Sequence, residues 1–279
     1  MICHDRGVSV GFVLGGGGVR GAVQVGMLRA LFDAGIRPDL VVGTSIGAIN
    51  GSAVAADPTP GVVDTLAQAW ASPTAAAVYG DSWPKQLARL ARSRTHLNDP
   101  GPLRELVAGM IGEETRFEDL EVPLAVAAAC IERAAEQWFD TGLVVPAVMA
   151  SASVPGVLPP TQIGDEHFVD GGLVNSIPLG EAWRRGATTV YVLQVGRIEE
   201  ALVAPDRPSD VARVSFEIAR RHRFAREIDE VPEGVCVHVL PSGGPTKGDE
   251  KLGSYRRMDT VRARMDAAYA ATSAYLERT

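Results

Sequence analysis

The sequence predicts an α/β fold with a parallel sheet, and three observations carry that expectation. Two apolar runs with strand character, Val8–Leu14 and Leu40–Val42, each end in a glycine-bearing loop. The first loop is followed by apolar residues at helical spacing, the second by a run of small residues that reads as a buried helix. Strand, loop and helix repeated in this order imply parallel strands joined by crossover helices. The chain of 279 residues, 46% hydrophobic and 22% charged, is also long enough for a sizeable core, since chains of about 300 residues bury roughly 75% of their unfolded surface.

Taken in order, the first helix is expected over Arg20–Gly35, with Val23, Met27, Leu28, Leu31 and Ala34 on its buried face and Gly35 as its stop. Small residues over Ala48–Ala56 predict a second, buried helix. Residues 57–118 read as a helical insert broken by Pro and Gly, anchored by Leu66, Trp70, Leu87, Leu90, Leu103, Leu106 and Val107. Strands are expected at Leu124–Ala129 and Gln137–Phe139, then a small-residue helix over Val145–Ser153 and a Pro-rich turn. His167–Val169 reads as a short strand ending at Asp170-Gly171-Gly172, and Leu179–Arg185 as a helix. The strand Thr189–Val195, a helix over Asp210–Asp229, the strand Gly234–Leu240 and a closing helix Tyr255–Leu276 complete the chain.

Composition excludes several classes of function. The net charge is −7 and no long basic block is present, so nucleic acid is not an expected partner. The apolar stretches are too short or too interrupted to span a bilayer, and the N-terminus lacks the pattern of a secretory signal. The expected location is cytoplasmic, at most peripheral at the membrane. Three cysteines, Cys3, Cys130 and Cys236, have no metal-ligand spacing and read as buried free thiols. Arg213, Arg220, Arg221, Arg223 and Arg226 read as a solvated helix face, with contact to anionic headgroups the alternative.

The chemistry is carried by two glycine-rich loops. Gly43-Thr44-Ser45-Ile46-Gly47 joins a strand to a helix, the setting that a nucleophile elbow requires. A serine there stands at a helix N-terminus, where positive partial charge assists attack. The run Gly15-Gly16-Gly17-Gly18-Val19-Arg20-Gly21 also joins strand to helix, and its successive bare amides suit a phosphate or a tetrahedral oxyanion. Gly16-x-Gly18-x-x-Gly21 meets the glycine rule of a dinucleotide site, but the second strand ends in Gly43-Thr44-Ser45 without the acidic residue that would hold a ribose. For a base, Asp170 follows Phe168-Val169 directly and opens onto two glycines. His222 lies among arginines on a solvated helix face and His238 inside an apolar strand, so neither is the expected base.

With these residues in place, the sequence resembles the patatin-like phospholipase family over roughly residues 8–195. The resemblance rests on four motifs in order: the glycine loop Gly15–Gly21 with Arg20, the elbow Gly43–Ala48, the stretch Ala150-Ser151-Ala152-Ser153-Val154-Pro155 leading to Leu158-Pro159-Pro160, and Asp170-Gly171-Gly172. Gly172 stands where alanine is also common in the family. The resemblance implies a single domain over residues 1–279, built as a three-layer α/β/α sandwich. It further implies a Ser–Asp dyad with Ser45 as nucleophile and Asp170 as base, without a catalytic histidine. Amides of Gly16, Gly17 and Gly18 would form the oxyanion hole, supported by Arg20, Gly21, Gly43, Gly47, Gly171 and Gly172.

The expected activity is hydrolysis of lipid acyl esters through an acyl-enzyme, with neither metal nor organic cofactor required. The expected partners are a lipid or acyl-ester substrate and transient contact with a membrane surface. An acyltransferase or thioesterase would use the same dyad and differ only in acceptor or leaving group. A non-catalytic lipid-binding or nucleotide-binding protein on this scaffold is the alternative of another class.

Overall fold

A computed structural model of the chain describes residues 9–78, 86, 89, 91–195, 201–206, 208–244 and 258–279. Cys3, Val8, Leu87, Leu90 and Tyr255, invoked above, lie outside the described residues, as does the side chain of Arg213. The strands are β1 (Val10–Leu14), β2 (Leu40–Thr44), β3 (Leu124–Cys130), β4 (Ala135–Phe139), β5 (Thr161–Ile163), β6 (Glu166–Asp170), β7 (Thr189–Leu193) and β8 (Cys236–Val239). The helices are α1 (Ala22–Asp33), α2 (Ile46–Ala56), α3 (Gly61–Trp70), α4 (Pro73–Val78), α5 (Gly101–Ile111), α6 (Val144–Ser151), α7 (Gly172–Asn175), α8 (Leu179–Arg184), α9 (Pro208–Asp229) and α10 (Met258–Leu276).

All eight strands belong to one sheet, ordered β5-β6-β3-β2-β1-β7-β8, with β4 beside β3. Pairings β1–β2, β1–β7, β2–β3 and β7–β8 are parallel, and β4, β5 and β6 attach antiparallel. The sheet is buried on both faces, which is why its central strands read as continuous apolar runs rather than alternating ones. Phe12, Leu14, Val41 and Leu193 turn to a large core shared with α1, α2, α3, α5 and α6. Val13, Val42, Val190 and Val192 turn to the other face, against Ile177, Leu179 and Ala182 of the α8 region and Phe224 of α9. The fold is therefore the expected mixed α/β sandwich, with the sheet between two helical layers.

Two short elements differ from the sequence reading. The Pro-rich turn contains β5, a three-residue strand paired antiparallel with β6. The Asp-Gly-Gly turn runs directly into α7, a single helical turn. Both are stabilised by long-range pairing that local propensity does not contain. Cys130 is a buried free thiol as expected. Cys236 is instead disulfide-bonded, a covalent link that spacing along an apolar strand does not reveal.

Candidate active site

Strand β3 brings the two candidate catalytic side chains together. Its one edge is occupied over Val126–Cys130 by β4, so β2 and β6 must share the other. β2 ends with Thr44 opposite Ala127, and β6 ends with Asp170 opposite Ala128. Two strands that end at consecutive residues of one neighbour deliver Ser45 and Asp170 to the same point. There Ser45 Oγ donates a 2.5 Å hydrogen bond to Asp170 Oδ2.

Ser45 has φ 56° and ψ −123°, a left-handed backbone that a side-chain-bearing residue adopts only when its surroundings enforce it. The enforcement is visible on both sides. A Cβ on Gly47 would stand 2.0 Å from the Leu14 carbonyl oxygen, and one on Gly43 would stand 2.7 Å from that of Gly47. Only bare backbone lets α2 start this close to β1 and β2. The Ser45 N–H donates to Ser151 Oγ at 2.8 Å, fixing the turn from the C-terminal end of α6. Ser45 is 6% exposed and caps α2, whose dipole points its positive end at the hydroxyl.

Asp170 is 1% exposed. Its Oδ1 accepts the Gly172 N–H at 2.7 Å, and its own N–H donates to the Ser153 carbonyl at 2.9 Å. The Gly171 N–H donates to the Ser151 carbonyl at 3.2 Å, and a Cβ on Gly171 would collide with the Ala127 carbonyl. Burial pushes the Asp170 carboxyl up to about 6, against the opposing pull of the Ser45 hydroxyl and the Gly172 amide. A carboxyl in that range exchanges protons near neutral pH, the property required of a general base and acid.

The glycine loop lies beside the serine. A Cβ on Gly16 would stand 3.3 Å from Ser45 Cβ and 3.1 Å from Ser176 Oγ. The Gly16 N–H donates to the Ser176 carbonyl at 2.7 Å, so it is committed to holding the loop. This corrects the expectation that all three glycine amides are open to an oxyanion. The N–H groups of Gly17 and Gly18 have no acceptor among the described residues, and Gly18 takes φ +58°, a glycine conformation. Arg20 is exposed on the 3-10 turn Gly18–Gly21, and Gly21 packs against Ile46 and Trp70.

Two polar side chains absent from the sequence reading set this loop. Gln24 Nε2 donates to the carbonyls of Gly15 and Leu193, both at 2.8 Å. Asn50 Nδ2 donates to the Gly21 carbonyl at 3.0 Å and to Gln24 Oε1 at 2.8 Å, while Trp70 Nε1 donates to Asn50 Oδ1 at 3.0 Å. Both ends of the loop are thus fastened to a fully satisfied buried network, which rigidifies it. Gln24 was legible in principle, because it interrupts the apolar stripe of α1 between Val23 and Met27. Thr44 Oγ1 likewise donates to the Asn175 carbonyl at 2.8 Å, tying α7 to the elbow.

The histidines stand apart from this centre. His238 lies on β8, separated from β2 by β1 and β7, about 14 Å across the sheet at normal strand spacing. Its ring stacks on Tyr191 with centroids 4.8 Å apart, its Nδ1 lies 3.1 Å from the Tyr275 hydroxyl, and burial lowers its pKa. His222 is exposed on α9. His222→Ala and His238→Gln are therefore expected to retain most ester turnover per folded molecule, and chelators to leave it unchanged. A collapse of turnover in either folded variant would replace the dyad with a Ser–His–Asp triad. Among the described residues, no three His, Cys, Asp or Glu side chains group as metal ligands, and no helix is long and apolar enough to cross a membrane.

A doubly wound sheet with an elbow serine paired to a buried aspartate defines the class, and the chain belongs to the patatin-like phospholipase family, whose sequence profile matches residues 12–183. Among its relatives, it is 35% identical over 196 residues to the patatin-like phospholipase domain-containing protein ZK370.4 of Caenorhabditis elegans. It is 29% identical, also over 196 residues, to the lysophospholipase nte1 of Aspergillus terreus. Each alignment covers 70% of this chain but only 14% and 12% of those proteins, so the chain spans about an eighth of their length. VipD from Legionella pneumophila aligns over 97% of this chain and 67% of its own, with 14% identity and a TM-score of 0.49.

Proposed function

We propose that this chain hydrolyses acyl esters of lipids with Ser45 as nucleophile and Asp170 as its base, folding as one patatin-like domain. The observation that carries the reading is the 2.5 Å hydrogen bond from Ser45 Oγ to a carboxylate that is itself buried and otherwise held by one amide. Asp170 takes the proton from Ser45 as Oγ attacks the ester carbonyl carbon, and the developing oxyanion turns to the Gly17 and Gly18 amides. Collapse of the tetrahedral intermediate breaks the ester C–O bond, and protonated Asp170 returns its proton to the leaving alcohol. Water, deprotonated by the same carboxylate, then releases the fatty acid and regenerates Ser45. Neither half-reaction calls for a metal or an organic cofactor. Substrate delivery is expected from transient contact with a lipid surface, consistent with a peripheral protein.

The test is covalent labelling by a fluorophosphonate, with the adduct expected on Ser45, alongside release of fatty acid from a lysophospholipid. Labelling elsewhere, or none on folded protein, would overturn the assignment. The base must be ionised in the free enzyme, so kcat/KM is expected to rise with unit slope as pH passes through about 6, where the Asp170 carboxyl titrates. A profile flat from pH 5 to 8 would remove Asp170 from the base role.

A further inference from the structure

Of the α9 arginines whose side chains are described, Arg226 is exposed as spacing suggested, whereas Arg220 is buried and Arg223 turns inward. Helix α9 lies across the layer that carries α7 and α8, and its contacts advance along it in order. Glu227 Oε2 accepts the Gly180 N–H at 2.7 Å. One turn nearer the N-terminus, Arg223 Nη1 donates to the Val174 carbonyl at 2.9 Å, within α7 and four residues from Asp170. Arg223 is balanced by two carboxylates, Glu136 at 2.7 Å and Glu227 at 3.1 Å. Arg226 is exposed and pairs with Glu230.

Arg220, a further turn along the same face, is balanced only in part. It is 2% exposed. Its Nη1 donates to Glu217 Oε2 at 3.2 Å, but Glu217 is shared with Arg221 Nε at 3.4 Å. Among the described residues, Arg220 Nε and Nη2 have no hydrogen-bond partner, and both are buried. The nearby charges that bear on Arg220 are Glu217, which favours its cation, and Arg20 and Arg221, which oppose it. Through Arg223, one turn away, α9 rests on the Val174 carbonyl, and Ser176 just beyond holds the Gly16 amide of the glycine loop. A second orphaned donor flanks the same loop, since Ser176 Oγ is buried without a partner and faces Gly16. A guanidinium desolvated with two donor nitrogens unmet is costly unless an anion completes it. Its planar fork matches the oxygens of a phosphate.

We propose that Arg220, on the α7–α9 side of the glycine loop, is the anchor of an anion subsite that takes a phosphate group, supplied by the headgroup of the lipid whose ester Ser45 attacks. This headgroup assignment rests on the hydrolase reading above, whereas the anion subsite does not. The two are separated by measuring them independently on the full chain.

In the first arm, inorganic phosphate is titrated against the melting temperature of wild type, Arg220→Met and, as an exposed-arginine control, Arg226→Gln. Phosphate is expected to stabilise wild type and Arg226→Gln in a saturable manner, and Arg220→Met not at all. In phosphate-free buffer Arg220→Met is expected to melt no lower than wild type, because it removes a buried guanidinium with two unmet donors and leaves Glu217 paired with Arg221. Arg220→Lys, which keeps the charge without the fork, serves should the methionine variant fail to fold, and is expected to blunt the phosphate response. No saturable stabilisation of wild type, or an equal response in the Arg220 variants, overturns the subsite whether or not the protein hydrolyses any ester.

In the second arm, hydrolysis of a lysophospholipid is compared with that of a monoacylglycerol bearing the same acyl chain. Arg220→Met is expected to raise KM for the phosphate-bearing substrate about tenfold while leaving the neutral one within about twofold. Equal effects on both substrates, with the phosphate response lost in the first arm, assign the site to free phosphate and overturn the headgroup.

Discussion

Ser45→Ala and Asp170→Asn are each expected to lower ester turnover by several orders of magnitude while leaving the far-ultraviolet circular dichroism unchanged. Ser45 and Asp170 act as one unit through the 2.5 Å hydrogen bond, so the double variant should lose little more than either single one. Near wild-type turnover in either folded variant would reject the dyad. Stability supplies a second readout, of the strain that burial places on the Asp170 carboxyl. The folded pKa of Asp170, about 6, lies above its ordinary 3.8. Below the unfolded pKa both states hold the proton and burial of the carboxyl costs nothing. As pH rises from about 4 to 6 the unfolded chain ionises first, and wild type loses stability until the folded carboxyl has ionised too. Two pKa units correspond to about 3 kcal/mol. Asp170→Asn carries no such charge, so its melting temperature relative to wild type is expected to rise across that interval and then level off. A difference independent of pH would mean that the carboxyl is not strained by its burial.

A buried carboxyl whose pKa is raised in this way reduces the stability of its own fold, and its surroundings hold it in place. Asp170 is carried on the last residue of β6, and its N–H is bound to Ser153 while Gly171 is bound to Ser151. Ser151 in turn holds the Ser45 amide. The α6 terminus therefore positions both members of the pair, and Ser45 is kept in its left-handed backbone by contacts rather than by preference.

Much of this was legible in the sequence, for physical reasons that also mark its limits. β1 and β2 are covered on both faces, so burial wrote them as unbroken apolar runs, and the elbow glycines are dictated by backbone contact. Asp170 could be picked out because it ends a strand and opens onto glycines. What the sequence could not supply was partnership across distance. Thr161–Ile163 becomes a strand only because β6 lies beside it, and Cys236 resembles any thiol in an apolar run until its disulfide is seen. Spacing placed five arginines on α9 without saying which of them faces inward. Val214 and Phe224, only 8% and 5% exposed, define that face, and Arg220 stands between them. The Gly16 amide was expected to be free, and only the path of residues 175–176 beneath the loop reveals its bond to Ser176.

That bond narrows the proposed oxyanion hole to Gly17 and Gly18, and Gly17→Val is expected to reduce kcat by about 10²–10³-fold, the effect of removing one such donor, with much less change in KM. The donors act on charge that exists only in the transition state, so their loss should spare ground-state binding. The steric cause is specific. A Cβ on Gly17 would stand 1.8 Å from Val195 Cγ2, at the end of β7, and Gln24 grips the neighbouring carbonyls of Gly15 and Leu193. With the loop fastened on both sides of the clash, Gly17 and Val195 must part at the point where the amides are aimed. Val195→Ala removes the colliding methyl groups, and in that background Gly17→Ala should recover a large part of the turnover that Gly17→Ala loses alone. Fluorophosphonate labelling separates this from misfolding, since a folded Gly17→Val protein should still present Ser45 but react more slowly. A variant whose KM rises while kcat holds would make the loop a substrate clamp and move the oxyanion donors elsewhere.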